Sequence, residues 1–134
     1  MCEPPLLPVA KAALLVRKEI FDIVGVFDEQ FFVYFEEVDL CLRVKRRGYR
    51  IVYFPGASIV HLQGKSSQQN IPVSSKYLWE SKMKYLRKYY SKREIDWFVK
   101  YFTGLLMFKK FIYMRPKDQL YDQIVKTLYE FSGK

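Results

Sequence analysis

The chain has 134 residues, with 23 Lys and Arg against 14 Asp and Glu, a formal net charge of +9, and 50% hydrophobic and 18% aromatic residues. That is one domain's worth of chain, long enough to bury a core without staples and too apolar for a disordered tail. Two cysteines, Cys2 and Cys41, make neither a disulfide framework nor a zinc pattern, and Glu3, Pro4, Pro5 and Pro8 stand where a secretion signal would carry bases and an apolar run, so a reducing, cytoplasmic setting is expected.

Residues 12–16 are a short apolar run suited to a buried strand. In 19–24, Ile20, Ile23 and Val24 share a helical face and Gly25 is a natural stop. Residues 27–35 carry Phe27, Phe31, Phe32, Tyr34 and Phe35 in a loop or short extended segment. A helix is predicted over 36–47: Glu36, Glu37 and Asp39 sit in its first turn and Lys45, Arg46 and Arg47 in its last, which complements the helix dipole. Asp39 and Arg43 form an i,i+4 pair, and Gly48 is suited to a left-handed position after the helix.

Two more strands are predicted, at 49–54, ended by Pro55, and at 57–60. The polar stretch 63–72 is a loop, and the boundary between two parts is placed there: 1–70 and 71–134. Residues 1–64 hold eight basic and eight acidic side chains, whereas 65–134 hold fifteen and six, so all the excess charge lies in the second part. Helices are predicted over 76–90, from the Ser91–Glu94 capping box to Arg115, and from Pro116 to the C-terminus. A basic helical half implies an anionic partner. Within 95–114, Lys100, Lys109 and Lys110 interrupt the apolar residues, so the segment fits a helix lying on an acidic membrane surface or one packed on protein better than a membrane span. No Arg-rich stripe or known motif supports nucleic acid.

Three carboxylates, Glu36, Glu37 and Asp39, lie within four positions beside an aromatic wall. Apolar neighbours and like charge both raise a carboxyl pKa, which suits a general base; the helix dipole alone also accounts for acids at that place. His61, the only histidine, ends a predicted strand as a metal ligand, a phosphate contact or a hydrogen-bonded structural residue. Gly64, Lys65, Ser66 and Ser67 could cradle a diphosphate or serve as a solvated linker.

Taken in order, these residues resemble the second half of a family 2 glycosyltransferase domain, over about residues 11–92. Residues 12–19 (Ala-Ala-Leu-Leu-Val-Arg-Lys-Glu) look like that family's strand-to-helix passage. Val24-Gly25-Val26-Phe27-Asp28-Glu29 with Phe31-Phe32, then Tyr34-Phe35-Glu36-Glu37-Val38-Asp39-Leu40-Cys41-Leu42-Arg43, look like its G-x-F-D-E-x-F-F and Y-F-E-D-x-D-L-x-x-R runs. Arg47, Gly48, Tyr49, Arg50 and Ile51, then Pro55, His61, Gly64 and Ser66, continue the likeness, which is nearest to rhamnosyltransferase-like members that build bacterial surface polysaccharides.

The resemblance implies a partial α/β, GT-A-like domain without its nucleotide-binding first half, followed by basic amphipathic helices at the cytoplasmic face of the membrane. It implies inverting transfer of a sugar from a nucleotide-sugar donor to a saccharide or lipid-linked acceptor, with a divalent metal, Mg or Mn, steadying the leaving diphosphate. Glu37 is then the base, and Glu36 and Asp39 shape the acceptor pocket. Arg43, His61, Gly64, Lys65 and Ser66 contact the donor or its diphosphate, His61 also the metal. The family usually has Asp where this chain has Glu37, and often glycine where it has Lys11. The family's D-x-D metal motif does not occur in the chain. The missing first half is therefore an expected partner, and the chain alone is expected to be weakly active or inactive. The alternative is a catalytically inactive fragment serving as a membrane- or partner-binding module.

Overall fold

The computed structural model describes residues 13–60, 71–112 and 119–132. Its elements are α1 (Lys18–Val24), α2 (Glu36–Arg46), α3 (Ile71–Tyr89), α4 (Lys92–Ile112) and α5 (Gln119–Ser132).

The helix ends follow local chemistry. Gly25, at φ 79°, closes α1 with its N–H on the Phe21 carbonyl at 2.9 Å. After α2 the chain makes a Schellman turn: Gly48, at φ 83°, donates to the Lys45 carbonyl (2.9 Å) and Tyr49 to that of Val44 (3.3 Å). The capping box before α4 forms as predicted, with the Ser91 N–H on Glu94 Oε2 at 2.8 Å and the Glu94 N–H on Ser91 Oγ at 3.4 Å. The Ser91 hydroxyl, then the Ser91 N–H, both donating to Glu94 Oε2, hold that carboxyl below its ordinary value. The helix α3 starts at Ile71, earlier than predicted, with Pro72 in its first turn, where a missing N–H is tolerated.

Among the described residues there is no β-strand. Residues 13–16, 49–54 and 57–60, predicted as strands, carry no regular structure, and 51–60 are exposed throughout. Branched and aromatic residues make a strand only where a neighbour supplies the ladder, and no described segment does so.

Helix α3 is the spine of the molecule. One of its faces packs Met83 against Ile95, Val99 and Leu106 of α4 and Leu128 of α5, with Trp79, Leu86, Phe98, Phe102, Ile124 and Val125 around them. Its other face carries Tyr85, which packs with Phe31 and Leu42 and beside Phe35, Val38 and Tyr89. Lys110 ties α4 to Asp122 of α5 at 2.7 Å, and Arg87 bonds the Phe131 carbonyl while stacking on that ring at 4.9 Å. The two parts expected on either side of residue 70 thus share a surface through α3.

Candidate functional site

The candidate site is the turn that leads into α2. Tyr34 and Phe35 both take positive φ, 66° and 70°. Two bulky residues in succession in the left-handed region are strained, and such strain persists only where the surroundings impose it. Here α3 does so. Ser81 Oγ donates to the Val33 carbonyl at 2.7 Å, and Lys84 Nζ to that of Gln30 at 2.9 Å. The Phe35 ring lies 5.4 Å from Tyr85, and Phe32 lies 5.5 Å from Tyr77. The bend aims Glu36, Glu37 and Asp39 into the first turn of α2, where the dipole favours negative charge.

The three acids then part company. Asp39 is 0% exposed. Its Oδ2 accepts from Arg43 Nε at 2.8 Å, and its Oδ1 from Lys88 Nζ at 2.6 Å and from the Tyr89 hydroxyl. Lys88 also reaches Asp28 Oδ2 at 2.6 Å. Burial works against the Lys88 ammonium, but its bonds to Asp28 and Asp39 prevail and hold it above its ordinary value. The same bond holds the Asp28 carboxyl below the usual carboxylate range, while burial and the bond to Asp39 push the Tyr89 phenol up. The guanidinium of Arg43 continues the network, donating to the carbonyls of Val24, Gly25 (3.1 Å) and Val26 (2.7 Å). Asp39 and Arg43 therefore join α1, α2 and α3.

Glu36 and Glu37 are half-buried. Glu36 Oε2 is closed off from solvent and has no hydrogen-bond partner among the described residues, and both Glu37 carboxylate oxygens are closed off too. Burial, then the charge of Glu37, pushes the Cys41 thiol up. The Tyr85 hydroxyl is likewise buried without a partner among the described residues, and burial raises its pKa. Two carboxylates, Glu36 and Glu37, thus stand together at the start of α2 with oxygens shielded from solvent.

Glu36, Glu37, Asp39 and Arg43 thus share α2. His61, Gly64, Lys65 and Ser66, read as donor and metal contacts, lie outside the described residues, as does Lys11. Among the described residues no group of three His, Cys, Asp or Glu side chains could hold a metal ion. Sequence reasoning missed Ser81, Lys84 and Lys88 as supports of the turn. Their spacing of three and four places them on one face of α3, the signal that could have marked them.

Parts of the chain are similar to known proteins. A rhamnosyltransferase of Escherichia coli is 30% identical over 89 residues, which are 65% of this chain and 34% of that protein. An N-acetylglucosaminyl-diphospho-decaprenol L-rhamnosyltransferase of Mycobacterium tuberculosis is 40% identical over 65 residues, 48% of this chain and 21% of that protein. The chain is partly homologous to sugar transferases. A dTDP-rhamnosyl transferase of Shigella flexneri is 35% identical over 65 residues, 46% of this chain and 22% of that protein. The chain spans between about a fifth and a third of the length of these relatives. No family model matches the chain, and no solved structure does.

Proposed function

We propose that the chain carries the acceptor-activating part of an inverting glycosyltransferase that works in the synthesis of a bacterial surface polysaccharide. The observation that carries this reading is the partial identity to several rhamnosyltransferases, and the shielded glutamates at the start of α2 supply the matching chemistry. Glu37 accepts the proton of an acceptor hydroxyl as its oxygen attacks the anomeric carbon. The bond from that carbon to the diphosphate breaks, its electron pair leaves with the nucleoside diphosphate, and the configuration inverts. Glu36 lies beside the acceptor. Asp39 acts as a positioning residue, since Lys88, Arg43 and Tyr89 engage its carboxylate. His61, Gly64, Lys65 and Ser66 are assigned to the donor diphosphate on the resemblance. The relatives' names suggest a dTDP-activated sugar and a lipid-diphosphate-linked acceptor.

The test is transfer of rhamnose from its dTDP form to a lipid-linked N-acetylglucosaminyl diphosphate. It is run with the chain alone and with the chain joined to the portion of the Shigella relative that it does not match. Product with inverted configuration supports the reading, and Glu37→Gln is expected to cut turnover by about 10²–10⁴-fold with donor affinity unchanged. Equal turnover removes Glu37 from the role. A folded chain that transfers nothing in either form favours a non-catalytic binding module, the reading that the apolar outer side of α4 supports.

A further inference from the structure

Helix α4 is apolar on two sides. Its inner side packs Ile95, Val99 and Leu106 into the core. Its outer side presents Trp97, Tyr101, Phe108 and Phe111, at steps of four, seven and three, with exposures of 68, 72, 61 and 82%. Met107 stands beside them, 59% exposed. A helix that is apolar all round is normally covered all round, and an aromatic row of this size marks a binding surface.

The charges around the row indicate what covers it. A cleft at the start of α4 is lined by Lys92, Arg93, Asp96, Trp97 and Lys100, and Asp96 faces Lys92 at 3.7 Å. Among the described residues Arg93, Lys100 and Lys109 have no acidic partner. The occupant must therefore offer negative charge beside an apolar body. A second copy of the chain would bring the same positive fringe against itself, which costs free energy. An acidic bilayer offers headgroup phosphates and acyl chains together. Trp and Tyr rings suit the level of the headgroups, and lysine stems can lie on the apolar surface with their ammonium groups in the phosphate layer. No helix among the described residues is long and apolar enough to cross a membrane, so this contact is one of lying on the surface.

We propose that the outer face of α4, from Arg93 to Phe111, docks on an acidic lipid bilayer with the helix in the plane of the interface. This stands apart from the sugar-transfer reading and is tested without it. The full chain is sedimented with vesicles of phosphatidylcholine alone and with added phosphatidylglycerol. Binding is expected only with the acidic lipid, weakening by at least about tenfold when salt is raised from about 0.1 to 0.5 M. The double variant Phe108→Ser/Phe111→Ser is expected to bind at least about tenfold more weakly, with its circular dichroism and Tm unchanged because both rings are exposed. Arg93→Gln/Lys100→Gln is expected to lose the salt dependence along with most of the binding. The proposal is overturned if the chain binds no vesicles at low salt, if the serine variant binds as the wild type does, or if the chain forms a dimer in solution that the serine variant dissolves.

Discussion

Asp39 shows how one residue changes meaning once its neighbours are in place. In the first turn of α2 it serves the helix dipole, yet its carboxylate is spent on Arg43, Lys88 and Tyr89. Removing one partner from a buried charge leaves the rest uncompensated, which is where large destabilisation arises. Lys88→Met is therefore expected to cost about 2 kcal/mol at neutral pH, measured by urea unfolding. The sign of its pH dependence follows from the two shifts. The lowered Asp28 value gives stability that is present above the ordinary 3.8 and lost as pH falls through the folded-state value. The raised Lys88 value gives stability that is full below the ordinary 10.5 and lost as pH rises through the folded-state value. The gap between wild type and Lys88→Met is expected to be level between these limits and to shrink beyond each. A gap independent of pH would show that the lysine acts through packing alone.

At the scale of the element, the contact of α3 with α4 holds a cation among rings. Lys82 Nζ lies 4.7 Å from the Trp79 ring, 4.9 Å from Phe98 and 5.5 Å from Phe102. The rings attract the ammonium, but burial costs it hydration and pushes its pKa down. The unfolded chain thus holds this proton to higher pH than the folded one, and stability rises with pH between the folded-state value and the ordinary 10.5. Lys82→Met keeps the stem and removes the charge. The expected outcome in thermal unfolding is that wild type gains stability relative to this variant as pH is raised from about 7 to 10. Parallel pH curves for the two proteins would remove the desolvated ammonium from the account.

At the scale of the whole molecule, α3 makes two clusters into one structure. Leu128 is fully buried at the far side of the α3–α4–α5 core, while the α2 turn lies on the opposite face of α3. Leu128→Ala is expected to cost about 3 kcal/mol from lost burial and the cavity left behind. Since both clusters use the same helix, native-state hydrogen exchange should show α2 amides losing protection together with those of α4. Protection lost in α4 and α5 alone would mean that the helical part unfolds by itself. The exposed residues 49–60 belong to this scale too. Their β-rich composition has no ladder among the described residues, and Val52, Tyr53 and Phe54 stand in solvent.

The helices and their ends were legible in the sequence because their causes are local: the dipole order of α2, the glycines after α1 and α2, and the Ser91–Glu94 capping box each act within a turn or two of chain. The carboxylate cluster was legible for the same reason, as was the likeness to sugar transferases. The strand readings failed on the described residues because a ladder depends on a distant neighbour that no local pattern can supply. The division of labour among Glu36, Glu37 and Asp39 was hidden for a like reason. For Asp39 it depends on Lys88 and Tyr89, about fifty positions away, which folding of α3 across the turn brings to its carboxylate.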